Sequence, residues 1–383
     1  MGRWPTAKLA EVLSLDLDRV KIDPTATYEM VGVYSFGRGL FLREPVHGGN
    51  TSYKYFYHLQ ADHIVMSQLF GWEGALALSS KEFAGKYVSP QFPTFKTSAE
   101  RLDRSFLGWY MRRRQFWEEL GSRTRGMGDR RRTLNPDALL DCTIPLPPLS
   151  EQRRIVAKID QVAAKIEEVF KLKKAVTDLS EKMLAGVFHR IVDKAPYLPM
   201  ENVAPLVRRP VDVQPNAVYL ELGVRSFGKG TFHKPALPGS EVGTKKLYRI
   251  EAGDIVLSNV FAWEGGIAVA KKEDTGRVGS HRFITRVPVS TKATANFINY
   301  YLLTSEGMEK IREASPGGAG RNRTLGLKKL DAIEVPIPVM EKQCYFDRLV
   351  DKVEALRSFQ GKTVAQLNAV VPKVLDVAFA GPG

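Results

Sequence analysis

The sequence predicts a mixed α/β (α+β) protein made of two tandem copies of one unit, each a compact domain followed by a long helix. Three observations predict it. The chain matches itself at a constant offset, residue 32 falling on residue 223, a shift of 191 with no net insertion or deletion. Within each copy, short β-like runs alternate with glycine turns and a single helical stretch. Behind a proline-punctuated segment each copy then settles into heptad spacing, which asks for a partner helix.

The repeat spans nearly the whole chain. Gly32-Val33-Tyr34-Ser35-Phe36-Gly37-Arg38-Gly39-Leu40-Phe41 lands on Gly223-Val224-Arg225-Ser226-Phe227-Gly228-Lys229-Gly230-Thr231-Phe232. Trp72-Glu73-Gly74 meets Trp263-Glu264-Gly265, Arg132-Thr133-Leu134 meets Arg323-Thr324-Leu325, and Leu184 and Phe188 meet Leu375 and Phe379. A solenoid repeat runs to about 20–50 residues, so this longer period marks a duplicated domain. Two tandem copies can present two similar surfaces to a partner that itself has approximate two-fold symmetry.

Composition narrows that partner. The 383 residues carry 56 Lys+Arg against 42 Asp+Glu, a formal charge of +14 and a pI of about 9.6, which suits a polyanion such as nucleic acid. Ten of the arginines crowd between Arg101 and Arg132 against four acids, Asp103, Glu118, Glu119 and Asp129. For any one of them a solvated helix face is an equal alternative. Two cysteines, Cys142 and Cys344, are too few for a disulfide framework or a metal knuckle. The charged start and the absence of a long apolar run argue against a signal peptide, a membrane span or any membrane association, and for a cytoplasmic protein.

In each copy the domain's β-like runs include Ile64-Val65-Met66, Asp254-Ile255-Val256-Leu257 and His281-Arg282-Phe283-Ile284, with helical stretches near Phe106–Glu119 and Phe297–Ile311. The helix after it starts at IPLPPLSEQ in the first copy and VPIPVMEKQ in the second. Ser150 is a plausible N-cap, with Glu151 favouring the positive end of the dipole. Ile155, Ile159, Val162, Ile166, Val169, Val176, Met183 and Val187 step by four and three, interrupted by Lys173 and Ser180 at seam positions. Phe346, Val350, Val353, Leu356, Leu367, Val370 and Val374 supply a second stripe, with Gly361 as a weak point near its middle. A helix from 150 to 189 is about 60 Å long, too long a stripe for one small domain to bury, so the two helices are expected to pack on each other.

PLPPLSEQRRIVAKID at 145–160, with the Arg-Thr-Leu segment before it and the heptad helix behind it, closely resembles the central conserved region of type I restriction-modification specificity subunits. Asp254-Ile255-Val256-Leu257-Ser258 ahead of Phe261-Ala262-Trp263-Glu264-Gly265, and helices ending Leu184, Phe188 and Leu375, Phe379, fit the same family. The resemblance covers essentially the entire chain. The second copy departs from it, reading PIPVMEKQ. The resemblance implies target-recognition domain 1 at 1–149, a conserved helix at 150–190, target-recognition domain 2 at 191–340 and a second conserved helix at 341–383, the helices forming an antiparallel coiled coil. It further implies a non-catalytic subunit that reads split double-stranded DNA, one half per domain, and docks two adenine methyltransferase subunits. Restriction/translocase subunits would join them. This chain itself would bind no cofactor; S-adenosylmethionine would sit on the methyltransferase, and ATP and Mg on the restriction subunit.

The residues agree on the negative side. There is no Asn/Asp-Pro-Pro-aromatic tetrapeptide to hold an extruded adenine, and no G-x-x-x-x-G-K-[ST] phosphate loop. Metal binding is not expected: His281 stands in an expected strand without a ligand cluster near it. Expected DNA contacts are Arg130, Arg131, Arg132, Arg321, Asn322 and Arg323, where glycines permit close backbone approach and arginines pair with phosphates or guanine edges. Arg38 and Lys229 are weaker candidates, and Gln91 and Arg282 differ between copies where readout would occur. Trp72-Glu73-Gly74 either places an acidic acceptor near a cytosine amino group or locks a tight turn, with the structural role weighing more. The expected partner-binding residues are Ile155, Ile159, Val162, Ile166, Phe346, Val350 and Val353. Two rival classes remain, a self-contained DNA-modifying enzyme and a coiled-coil scaffold that reads no DNA.

Overall fold

The computed structural model describes residues 4–124, 132–317 and 323–381. The chain divides into two compact units, residues 1–173 with 361–383, and residues 174–360. Each unit therefore draws on both copies of the repeat.

In the first unit, Thr6–Lys8 pairs antiparallel with Thr143–Pro145, bringing the start of the domain to the segment that precedes its long helix. A four-stranded antiparallel sheet runs in the order Leu76–Leu78, Ile64–Met66, Thr94–Thr97, Leu13–Leu15. The continuous apolar run Ile64-Val65-Met66 is explained by burial on both faces. Ile64 and Met66 point into a core with Phe95, Phe106 and Leu107, whereas Val65 packs with Val31, Tyr57, Leu59 and Val88. Successive side chains of a strand alternate faces, so only a strand covered on both sides reads as unbroken hydrophobics.

The second unit repeats this plan. Tyr197–Pro199 pairs with Glu334–Pro336, and Ile255–Ser258 lies between Ile267–Val269 and Phe283–Arg286. Ile255 and Leu257 enter the main core, and Val256 enters the satellite cluster on the other face. The second copy's hairpin is longer, with Val218–Val224 against Thr231–Pro238. His281 falls in a turn between Val278–Ser280 and Phe283–Arg286, not in a strand. Each expected helical stretch is two helices: Arg104–Tyr110 and Arg114–Ser122, then Ala295–Leu303 and Ser305–Glu313. In the second copy the break is Thr304, held extended, with its hydroxyl accepting from the Gly307 N–H.

The first long helix, Leu149–Val192, has 44 residues. It begins one residue before Ser150, so that serine lies in the first turn and not at the cap; the Pro148 carbonyl accepts the N–H groups of Glu151 and Gln152. Ile155 and Ile159 pack into the first unit's core, while Leu184, Val187, Phe188 and Ile191 pack into the second's. The second long helix, Met340–Asn368, starts in the second unit's core through Phe346 and Val353. It continues through Gly361 and breaks instead at Ala369, ahead of the terminal helix Val370–Phe379. Pro372, which lacks an N–H and whose ring crowds the carbonyl four residues earlier, accounts for the break. The terminal helix closes the first unit, the Phe379 ring lying 5.1 Å from Phe106 and 5.2 Å from Tyr110.

Within the second unit the two long helices run antiparallel. Phe188 meets Phe346 at 5.3 Å between ring centroids, Glu181 meets Arg357 at 2.8 Å, and Thr177 meets Gln360 at 3.2 Å. Numbers fall on one helix as they rise on the other.

A buried glutamine ties each long helix to its own domain. Gln152 is fully buried; its amide donates to the Arg101 and Pro147 carbonyls, both at 2.8 Å, and its oxygen accepts from the Asp103 N–H at 2.8 Å. Gln343 makes the equivalent bonds, to the Lys292 carbonyl at 2.9 Å, the Pro338 carbonyl at 2.8 Å and the Thr294 N–H at 3.1 Å. Removing either side chain leaves three backbone groups without this partner, one in a buried bond and two in part-buried ones. Gln152→Ala is expected to lower stability by about 3 kcal/mol, read as a fall in the denaturant midpoint at unchanged slope, and Gln343→Ala by a similar amount.

Asp347, one residue after Phe346, carries an opposite burden. Burial, with the like charge of Asp351 adding and a Thr294 hydrogen bond opposing, pushes its carboxyl up to about 6 from 3.8. Its Oδ1 has no hydrogen-bond partner among the described residues. The folded chain holds this proton more tightly than the unfolded one, so stability falls as pH rises from about 4 to about 6 and stays reduced above. Asp347→Asn should raise the thermal midpoint at pH 7.5, with the advantage shrinking below pH 6 and vanishing near pH 4.

Candidate nucleic-acid interface

Four segments distant in sequence converge in each unit, joined by the same backbone bonds. In the first, the Phe36 and Gly37 N–H groups donate to the Glu73 and Gly74 carbonyls at 2.8 and 2.9 Å. The Gln68 N–H donates to the Gln91 carbonyl at 2.9 Å, and the Leu134 N–H donates to the Gln68 carbonyl at 2.8 Å. The second unit repeats all four: Phe227 to Glu264 at 2.8 Å, Gly228 to Gly265 at 2.9 Å, Asn259 to Arg282 at 2.7 Å and Leu325 to Asn259 at 2.9 Å. Thus the turn carrying Arg38 or Lys229, the Trp-Glu-Gly turn, the Gln91 or Arg282 position and the Arg-Thr-Leu segment form one cluster per unit.

Trp-Glu-Gly is the hub. It is a single 3-10 turn in both copies, ended by a glycine in the left-handed region, Gly74 at φ 79° and Gly265 at 78°. A Cβ on Gly74 would also lie 2.3 Å from the Trp117 ring, so only glycine closes this turn. The Trp72 indole donates to the Leu69 carbonyl at 2.8 Å and Trp263 to Val260 at 2.9 Å. The carboxylates of Glu73 and Glu264 accept from the Ser35 and Ser226 hydroxyls at 3.4 and 3.3 Å. The tripeptide's structural role is therefore plain.

Cations stand on aromatic faces around each hub. The Arg132 guanidinium lies 5.3 Å from the Trp72 ring centroid, and Arg323 lies 5.2 Å from Trp263. Arg38 lies 4.9 Å from the Tyr34 ring and donates to the Ser35 carbonyl at 3.0 Å, and the Lys229 ammonium lies 5.7 Å from Phe227. Stacking on an aromatic face orients a cation and holds it at the surface of the cluster. Arg38, Lys229 and Arg282 are exposed, and Gln91 is half-buried. Arg130, Arg131, Arg321 and Asn322 lie outside the described residues. The one cysteine of the first unit, Cys142, is fully buried, and burial pushes its thiol up to about 12, which keeps it protonated and inert.

The expected partner-binding residues divide. Ile155, Ile159, Phe346 and Val353 are buried in the unit cores and offer no side chain to a partner, because the first turns of each long helix lean on their own domain before leaving it. Val162, Ile166 and Val350 are half-buried. On the first long helix the exposed large apolar side chains are Val169 and Leu172 in the first unit, and Val176, Leu179 and Met183 in the second. Leu172 and Leu179 lie three residues beyond Val169 and Val176, a neighbouring stripe that the seam reading passed over.

No described helix is long and apolar enough to cross a membrane. No curated protein matches this chain in sequence. Among solved structures, the HsdS subunit from Thermoanaerobacter tengcongensis is similar at a TM-score of 0.55 and 20% identity, covering 99% of this chain and 97% of that one. A chain from a structure addressing complex assembly and conformational transition of the type I R-M system reaches a TM-score of 0.67 at 18% identity, covering 99% and 98%. The type I restriction-modification S subunit from M. genitalium reaches 0.50 at 14%, covering 99% and 97%. The profile of the type I restriction modification DNA specificity domain matches residues 1–177. Residues 1–177 therefore match the type I restriction modification DNA specificity domain, and the chain as a whole shares the fold of these solved HsdS and type I R-M chains.

Proposed function

We propose that this chain is a non-catalytic specificity subunit that reads a bipartite DNA sequence, one half per recognition domain, and positions two adenine methyltransferase subunits on it. The observation that carries this reading is the doubled cluster: the same four-segment junction, with a cation stacked at equivalent positions, occurs once in each unit. S-adenosylmethionine belongs to the methyltransferases, and ATP and Mg to restriction/translocase subunits that join the same assembly. The exposed apolar residues of the first long helix, Val169, Leu172, Val176, Leu179 and Met183, supply the methyltransferase docking surface, flanked by the half-buried Val162 and Ile166. The solved assembly of a type I system with this fold supports partners of that kind.

Methylome sequencing of a host carrying this chain with its methyltransferase is the test. The expected motif is interrupted and nearly palindromic, its halves differing at one or a few bases. Roughly a third of positions are shared between 32–95 and 223–286, and similar readers that meet opposite strands require similar inverted half-sites. Two halves without an inverted-repeat relation would mean that the shared residues only maintain the fold. No motif at all would remove the DNA-reading function.

In the assembled complex, Arg132→Ala and Arg323→Ala test equivalent cations of the two clusters. For every phosphate that a substitution leaves unpaired, the magnitude of the log-affinity against log-salt slope drops by about 0.9. Titration from 50 to 200 mM salt should resolve the change, and an unchanged slope with unchanged specificity would take both residues out of the interface.

A further inference from the structure

Four described non-glycine residues have positive φ: Phe36 (63°), Asp62 (66°), Lys194 (60°) and Phe227 (62°). Two of the four are the same phenylalanine in the two copies. A bulky side chain in the left-handed region is strained, and asparagine or glycine would suit the turn better. Burial does not offset this, because Phe36 is 60% exposed and Phe227 73% exposed. The backbone bonds to Glu73 and Gly74, or to Glu264 and Gly265, hold the strained conformation in place. A side chain that is strained, exposed and fixed at the same point twice points to use at that point.

Its surroundings identify the use. The Arg38 guanidinium lies 5.9 Å from the Phe36 ring and the Lys229 ammonium 5.7 Å from Phe227, so each ring stands beside a cation suited to a phosphate. Across the Trp-Glu-Gly turn, Phe70 and Phe261 are 50% and 42% exposed. Apolar prongs rimmed by cations match a nucleic acid, whose bases present apolar faces between charged strands; a protein partner would offer no reason for the cation beside each prong.

We propose that Phe36 and Phe227 are wedges, each inserting at one base step of the half-site read by its own domain, partially unstacking it. The proposal rests on the DNA-reading function and assigns it an indirect component: steps that unstack readily would be favoured at positions where no hydrogen bond reads the base.

The full chain, assembled with its methyltransferase subunits, is tested on duplexes carrying the methylome-defined target, with 2-aminopurine placed in turn at each position of both halves. Wild type should raise the fluorescence at one position per half other than the methylated adenine. Phe36→Asn should abolish that rise in one half only, and Phe227→Asn in the other. Each should weaken binding by about tenfold, the loss of one stacked base, at an unchanged salt slope because no charge is removed. Thermal midpoints should hold or rise, since asparagine accepts the turn. Failure of wild type to prefer the target over a scrambled duplex would count against DNA reading itself. Target preference with wild-type fluorescence in both variants would overturn the wedge alone. So would a fall in midpoint, which would make the ring a fold element, or a loss of methyltransferase association with fluorescence intact, which would make it a protein-binding side chain.

Discussion

The buried glutamine at the start of each long helix is the constraint on which the rest of the structure depends. Gln152 and Gln343 each satisfy two carbonyls and one N–H of their own domain. Both amide N–H groups and the oxygen are thus engaged, and these bonds fix both the position and the rotation of the helix relative to its own domain. That rotation decides which residues of the helix face inward, Ile155 and Ile159 in one copy and Phe346 in the other, and which emerge to be used farther along. The prolines before it serve the same end: the Pro147 and Pro338 carbonyls are themselves glutamine acceptors, and neither residue has an N–H that would need a partner.

Because the helices leave their domains in fixed directions, each can finish elsewhere. Leu184 and Phe188 complete a core built around Phe297 and Phe346, while Leu375 and Phe379 complete one built around Phe106. Neither copy of the repeat contains all of the apolar surface that its domain buries. Duplication thus lets each half supply the other's last helix, which gives a physical reason for the Leu and Phe at the same spacing near both helix ends.

Much of this was legible in the sequence. The offset of 191, the apolar strands and the heptads are local or periodic signals, and they lead to the right elements. What the sequence could not show was which of two neighbouring stripes on the long helix is spent inside the domain, since Ile159 and Leu172 look alike until a core exists to claim one of them. The helix break at Ala369 was readable from Pro372, yet the more conspicuous Gly361 drew attention although the helix passes through it. The junction of the candidate site was hidden for a different reason. Its four bonds are backbone to backbone, the widest joining Gln68 to Leu134 and Asn259 to Leu325, and no side-chain pattern announces them.

The two clusters share a scaffold and differ on it. Thr231 and His233 bond the buried Asp274 at 2.9 Å each, tying the second hairpin through polar contacts. The equivalent positions of the first copy are Leu40, Leu42 and Phe83, and Leu40 and Phe83 pack against an apolar cluster. Tyr34 stacks on Phe41 at 4.1 Å where Arg225 lies 5.0 Å from Phe232, so an uncharged ring and a cation occupy the same perch. Backbone bonds that agree within a few tenths of an ångström hold the two sets of side chains in equivalent places, which leaves their chemistry as the variable. Under the proposed function, a scaffold this constant would leave any difference in base preference between the halves to exchanges such as Tyr34 for Arg225 and Gln91 for Arg282. Such a domain could change what it reads while its geometry, and the helix it sets in place, stay the same.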